Sequence, residues 1–302
     1  MDRTGLKERI KQGLLLLDGA MGTELIARGA RAATCADYLN VTSPGIVRDV
    51  HRSYFEAGSD AVITNTFGAN SCALKRHGLA DKAAQINTAG AEIARQAAGD
   101  HKYVLGDIGP SGEFLTPLGN LKPEDLKAAF AEQAAGLAAG RVDGFIIETM
   151  AALDELTAAV EAVKSVRDDL PLFASMAFES GRDDFRTMMG VSVPQAVSHI
   201  AALGVDALGF NCGSASLDEY VTLAEKVAAA VKDTDPDMLV LAEPNAGKPE
   251  LLDDRPVYKV APADFADAAE KIRALGFNIV GGCCGTGPEH IRALVKKLAS
   301  AG

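Results

Sequence analysis

Asn278-Ile279-Val280-Gly281-Gly282-Cys283-Cys284-Gly285-Thr286-Gly287-Pro288 is a short apolar run that breaks into glycines, a cysteine pair and a proline. Ala207-Leu208-Gly209-Phe210-Asn211-Cys212-Gly213 has the same shape. Each run reads as a buried strand with sulfur at its end, the position from which parallel α/β sheets present their chemistry. Six further runs complete the set: Leu14–Leu17 ending at Asp18, Ala61–Thr64 ending at Asn65-Thr66, Tyr103–Ile108 containing Asp107, Gly144–Ile147 ending at Glu148-Thr149, Leu172–Met176, and Met238–Leu241. The intervals carry helix signals. Ser43-Pro44 and Pro123-Glu124-Asp125 place a cap, a proline or acids at a first turn. Met150–Val166, Val193–Leu203, Ser216–Val231, Pro262–Leu275 and Pro288–Leu298 have apolar residues at helical spacing. Strand and helix alternating eight times predict an α/β fold, a single (β/α)8 TIM barrel over residues 1–302. A doubly wound sheet would carry a Gly-rich turn after its first strand, and Asp18-Gly19-Ala20-Met21-Gly22 is not G-x-G-x-x-G.

The chain has 302 residues, 48% hydrophobic and 24% charged, which suits a soluble globular protein of barrel size. Its net charge of −11 comes without any basic run, which argues against nucleic acid and anionic membranes as partners. Leu14–Leu17 is far too short to span a bilayer. Met1-Asp2-Arg3-Thr4-Gly5-Leu6-Lys7 reads as an amphipathic opening helix, without a signal-peptide core. Five cysteines, an odd number, then favour reduced thiols in the cytoplasm. Long connections, Gly19–Thr42, Ala177–Val191 and Glu243–Ala261, follow the first, fifth and seventh strands and are expected to frame the catalytic face, with the acidic segment Glu179–Asp184 beside them.

Strand ends in a barrel converge on one mouth, here a ring of Asp18, Asn65, Asp107, Glu148, Asn211, Cys212, Asn245, Cys283 and Cys284. Three thiols without a nearby histidine are soft ligands, and catalytic zinc takes three protein ligands with one position open. Cys212 and the pair stand two strands apart, near 10 Å at a strand spacing of about 4.8 Å, against zinc–sulfur bonds of about 2.3 Å. The span is bridgeable if the barrel narrows there and the Cys283–Cys284 peptide bends sharply, a bend the flanking glycines permit. The competing reading is a phosphate nest, because Gly281-Gly282 and Gly285-Thr286-Gly287 precede a helix starting at Pro288. A Cys283–Cys284 disulfide is strained and disfavoured. Cys35 and Cys72 read as buried fillers. Asp18 and Glu148 either cap helices or, lacking a basic neighbour, take a ligand ammonium group. Asp107 reads as a loop anchor and His290 as a capping or surface residue. No H-E-x-x-H, G-x-S-x-G or P-loop pattern occurs.

Taken together, Asp18-Gly19-Ala20-Met21-Gly22-Thr23, Asn65-Thr66-Phe67, Glu148-Thr149-Met150, Asn211-Cys212 and Gly281-Gly282-Cys283-Cys284-Gly285 resemble the homocysteine S-methyltransferase family, from about Gly13 to Leu298. Glu243-Pro244-Asn245-Ala246-Gly247 and Thr286-Gly287-Pro288-Glu289-His290-Ile291 look closest to the homocysteine module of cobalamin-dependent methionine synthase. The betaine-using branch carries a Trp-bearing pocket, and this chain has no Trp. The S-methylmethionine branch usually has Arg after the cysteine pair, where this chain has Gly285. The resemblance implies one Zn2+ on Cys212, Cys283 and Cys284, and methyl transfer to homocysteine giving methionine. It also implies that Asp18 and Glu148 hold the substrate amino group, that backbone amides around Gly19, Ala20 and Met21 meet its carboxylate, and that Asn211 belongs to the substrate site. Aromatics are 5% of residues, and Tyr38, Phe67, Phe114 and Phe185 look too scattered to cage a quaternary ammonium. Methylcobalamin on a corrinoid partner protein or module is therefore the expected donor. Betaine or S-methylmethionine is the alternative, and a non-catalytic zinc barrel or a phosphate-binding barrel enzyme is remoter. No Asp-x-His-x-x-Gly cobalamin motif appears before Gly302, where a full methionine synthase would continue into folate and cobalamin modules.

Overall fold

Leu, Ile, Val and Phe at successive places in each short run leave both strand faces apolar, so each strand must be buried on both sides. The structure, a computed structural model, describes residues 5–31, 34–181, 184–252 and 255–300. Eight parallel strands make one sheet: β1 Leu15–Leu16, β2 Ala61–Ile63, β3 Tyr103–Ile108, β4 Gly144–Met150, β5 Leu172–Met176, β6 Ala207–Asn211, β7 Leu239–Glu243 and β8 Ile279–Val280. Their order is β1-β8-β7-β6-β5-β4-β3-β2, a nearly closed (β/α)8 barrel with helices between the strands. Leu15 pairs with Ile279 and Leu16 with Val280, joining the two ends of the chain.

The gap between β1 and β2 is closed by one backbone bond and the carboxylates of two aspartates. Asp60 gives its N–H to the Leu16 carbonyl at 2.8 Å, and its Oδ2 accepts from Leu16 N–H at 3.1 Å. Arg9 holds the same Oδ2 at 2.8 Å. One turn further up, both carboxylate oxygens of Asp18 accept from Ile63 N–H, at 3.2 and 3.1 Å. These two aspartates stand in for ladder carbonyls at the one seam the strands leave open.

Strand alternation divides the core into two. Leu15, Leu17, Ala61, Tyr103, Leu105, Ile146, Phe173, Ala207, Leu241 and Ile279 fill the barrel, with Leu6 and Ile10 of the helix Leu6–Lys11 packed on the same cluster. The alternate residues, Val62, Val104, Phe145, Ile147, Ala174, Leu208, Phe210 and Val240 among them, meet the surrounding helices. Each buried aliphatic side chain contributes about 1.5–3 kcal/mol relative to exposure.

The expected elements are recovered with local differences. The opening helix is Leu6–Lys11, and Met1–Thr4 lie outside the described residues, as do Arg182 and Asp183 of the acidic segment and Gly302. Met150 belongs to β4, not to the following helix, which is Leu153–Val166. Pro44 and Pro123 open their helices as expected, although Ser43 makes no side-chain cap bond. Two small hairpins, Glu179–Ser180 with Phe185–Arg186 and Glu250–Leu252 with Arg255–Val257, occupy the long connections after β5 and β7. Among the described residues no helix is long and apolar enough to cross a membrane.

His51, on the helix Pro44–Ala57, is fully buried, and neither ring nitrogen has a hydrogen-bond partner. Burial lowers its pKa to about 3. The folded state therefore keeps the ring neutral while the unfolded chain binds a proton below about pH 6.5. Stability relative to His51→Leu should fall by roughly 1.4 kcal/mol per pH unit as pH drops from about 6.5 towards 3. Paired denaturant titrations at pH 7, 6 and 5 measure it, and a difference that does not change with pH would place the ring in contact with solvent.

Candidate active site

The same alternation that fills the barrel with hydrocarbon makes its last layer polar. Counting inward positions two at a time from Leu105, Ile146, Phe173, Ala207 and Leu241 gives Asp107, Glu148, Ser175, Asn211 and Glu243 at the C-terminal mouth. Just beyond this layer the chain turns, and there the sulfurs stand.

Cys212 follows β6 directly with a φ of 56°, and Gly213 follows with 89°. Two successive left-handed residues turn the chain sharply off the strand axis, and only the glycine adopts that shape without strain. The turn is pinned by Cys212 N–H to the Glu243 carbonyl at 3.2 Å and by the Tyr220 hydroxyl to the Cys212 carbonyl at 2.8 Å. On the other side, Gly281-Gly282 carry the chain inward from β8. Gly282 N–H reaches the Asp18 carbonyl, and Cys283 N–H the Pro244 carbonyl, both at 2.9 Å. The three Sγ atoms consequently lie within 4.8 Å of one another, with Cys283 and Cys284 4.0 Å apart. Three sulfurs on one tetrahedral ion with bonds of about 2.3 Å stand about 3.8 Å apart. The inward lean removes the separation expected from strand spacing, and these residues could hold a metal ion.

Cys284 is the anionic member of the set. Hydrogen bonds from Cys212 and Cys283, and another from the Tyr258 hydroxyl, lower its pKa to about 3. Hydrogen bonds to the other two sulfurs, with burial, push Cys283 up. These hydrogen bonds favour the thiolate at Cys284, the form in which a cysteine binds a metal ion. Tyr258, which the sequence did not bring to notice, lies against Gly285, where a Cβ would meet the ring at 2.2 Å. Gly285, with φ 82°, is the residue that lets Tyr258 approach Cys284.

Four carboxyl groups sit below and beside the sulfurs: Asp18, Asp107, Glu148 and Glu243, all buried. Burial raises the pKa of each, Glu148 to about 7. Glu148 shares a hydrogen bond with Asp107 and accepts from Thr149 Oγ1 at 3.1 Å and from Asn211 Nδ2. Asn211 is fixed in turn: its Oδ1 accepts from Thr149 N–H at 2.7 Å and Ser175 Oγ at 2.6 Å. Thr149 has φ 59°, costly for a β-branched residue, at the point where the β4–β5 register shifts between Ile147 and Met150. The bulge aims the Glu148-Thr149 pair into the mouth.

The first connection packs on the last one. Ala20 N–H is bonded to the Thr286 carbonyl at 2.9 Å, and Tyr54 OH clamps the Ala20 and Thr286 carbonyls at 2.8 and 2.9 Å. The Ala20 amide is therefore already engaged. Met21 opens the helix Met21–Ala27, whose first amides have no partner within the helix. His290 is a cap: its Nδ1 accepts from Gly287 N–H at 3.1 Å, which leaves Nε2–H for the Val260 carbonyl. Asp107, read from sequence as a loop anchor, instead turns its carboxyl to Glu148. Cys35 and Cys72 are half-buried and outside the sulfur cluster, and none of the five cysteines forms a disulfide.

A cavity of about 510 Å3 opens above Cys212 and Thr149, walled by Phe114, Leu118, Met188 and Met189. Phe114 and Leu118 come from the connection after β3, which sequence reading did not count among the long ones.

Residues 15–298 match the family model for homocysteine S-methyltransferase. This chain belongs to the homocysteine S-methyltransferase family. It is 34% identical over 318 residues to methionine synthase of Mycobacterium tuberculosis (strain ATCC 25618 / H37Rv), covering 98% of this chain and 26% of that protein. The match to methionine synthase of Mycobacterium leprae (strain TN) is 35% over 317 residues. The chain spans about a quarter of the length of these curated relatives. The metallated form of the homocysteine methyltransferase MmuM from Escherichia coli superposes with a TM-score of 0.77 at 25% identity, covering 97% of this chain and 99% of that one. A type I 3-dehydroquinate dehydratase from Clostridium difficile, at 8% identity and a TM-score of 0.54, shares the fold alone.

As a family member purified without chelator, the chain should carry one metal ion. Cys284→Ala should lose it and Cys72→Ala should keep it, as read by elemental analysis. Full occupancy in Cys284→Ala would refer the glycines around the pair to anion binding.

Proposed function

We propose that this barrel transfers a methyl group to the sulfur of homocysteine, giving methionine, with one zinc ion on Cys212, Cys283 and Cys284. The observation that carries it is the meeting of three cysteine sulfurs within 4.8 Å at the mouth of a barrel of this family. Zinc, when bound, lowers the thiol pKa so that the substrate sulfur reacts as a thiolate at neutral pH. The chain's own residues bind and aim. Asp18 and Glu148 accept the ammonium group of the amino acid, and Asn211 and Thr149 hold Glu148 in place for it. The N–H groups of Gly19 and Met21 face the substrate carboxylate, with Ala20 holding that turn against Thr286. The apolar wall of Phe114, Leu118, Met188 and Met189 excludes water from the line of methyl transfer. As the new C–S bond forms, the electron pair of the broken bond stays with the donor and the thiol proton passes to solvent.

The donor in this proposal is methylcobalamin carried by a corrinoid partner protein or module. The wide apolar mouth supports it, and so does the state of the aromatic candidates for a cage. Phe185 is buried, and the Tyr38 hydroxyl and ring are engaged by Lys82. A second reading, direct use of a small donor such as betaine or S-methylmethionine, is favoured by the near end-to-end match to a homocysteine methyltransferase chain of about this length, where the methionine synthases are about four times as long.

Side-by-side methionine formation from homocysteine with methylcobalamin, betaine and S-methylmethionine separates the two. Turnover with methylcobalamin is expected, and turnover only with a small donor would reverse the choice. Glu148→Gln should raise the homocysteine KM about 10- to 150-fold, the effect of losing a charged hydrogen-bond partner, without loss of metal. An unchanged KM would leave Glu148 a structural role alone.

A further inference from the structure

Two carboxyl oxygens at this mouth have no partner. Asp107 is 4% exposed and Glu243 2%, yet Asp107 Oδ1 and Glu243 Oε2 accept no hydrogen bond. Buried polar atoms are nearly always satisfied, and the other acids here obey that rule. Asp18 has both oxygens on Ile63 N–H, and Glu148 has Asn211 and Thr149. The orphan atoms belong to inward positions of β3 and β7, on either side of the mouth, and both groups repel Glu148 through space. None of the four acids is in an ion pair with a lysine, arginine or histidine among the described residues. What is missing is a compact cation with several N–H donors.

We propose that Asp107 and Glu243 complete the seat for the substrate's primary ammonium group, Asp107 Oδ1 and Glu243 Oε2 each accepting one of its N–H bonds beside Glu148. This rests on the reading of the substrate as an amino-acid thiol and adds two residues to the pair the family resemblance supplies. An ammonium has three donors: Asp107 and Glu243 take one each, and the third is left to Glu148 and Asp18, whose carboxylates already accept other hydrogen bonds. The seat thereby selects a free amine: a thiol without the amine, or with the amine acylated, leaves the orphan oxygens unpaired, the arrangement that discriminates most strongly between otherwise similar ligands.

The test uses the zinc-loaded chain and calorimetric binding of L-homocysteine and of 4-mercaptobutyrate, the same thiol acid without the amine. The native chain should prefer homocysteine. Asp107→Asn and Glu243→Gln, made separately, should each weaken homocysteine about 10-fold or more while 4-mercaptobutyrate changes less than about two-fold. Metal content and thermal midpoint identify any variant that fails to fold, and the second variant then carries the test. Equal weakening of both thiols, or an unchanged preference in both variants, overturns the proposal and leaves the methyl-transfer reading standing. Failure of the native chain to bind either thiol overturns both.

Discussion

Every second residue of each barrel strand must enter a space too narrow for anything but side chains, and the rest of the molecule depends on that constraint. Lower in the barrel it is met by hydrocarbon, from Leu15 round to Ile279. At the upper rim the same parity delivers Asp107, Glu148, Ser175, Asn211 and Glu243 into one layer, because these residues stand an even number of places, two or for Asn211 four, beyond apolar inward neighbours. The strands thus set the directions of the mouth's polar groups, and the loops carry only the sulfurs and the cover.

The electrostatic consequence is a pocket with negative charge and no built-in counterion. Hydrogen bonds among the sulfurs favour a thiolate at Cys284, and four buried carboxyls lie close enough to raise one another's protonation. Such a layer is unfavourable by itself, since buried carboxyls without partners either hold protons or await cations. Two cations of different kinds fit the two halves: a soft-ligand metal at the sulfurs and an ammonium at the acids. The carboxyl layer sits beneath the sulfurs, so an amino acid bound head-down would present its own sulfur upward to the metal and towards the apolar cavity.

How much of this was readable in the sequence depended on range. The eight strands were legible because their apolar runs end in polar residues within a few places, and the cysteine cluster because three soft atoms fall at such ends. Met150 was misplaced into a helix because a bulge is a mismatch with a neighbouring strand, and β5 lies some 20 residues away in sequence. Asp60 and Asp18 as seam-closing groups were invisible for the same reason, their partners being backbone atoms of another strand. Glu243 carried a signal that was present and unused, the period-two count from Leu241, whereas Asp107 was placed at the mouth and read there as a loop anchor. Tyr258 had none, since its approach to Cys284 depends on how a distant hairpin folds over Gly285.

The pairing of β1 with β8 gives the sulfur cluster a place in the order of assembly. Cys212 follows β6, while Cys283 and Cys284 follow the strand that must find Leu15 and Leu16 across more than 260 residues of chain. Contacts of such long range form late, because loop closure has to come before any reward from pairing. A complete set of sulfurs therefore exists only in molecules whose circle has joined. The meeting of the three sulfurs then serves as a gauge of circularity: a chain opened at the β1–β8 join, with every other strand still in register, would part Cys212 from the pair while its helices and most of its core stayed intact.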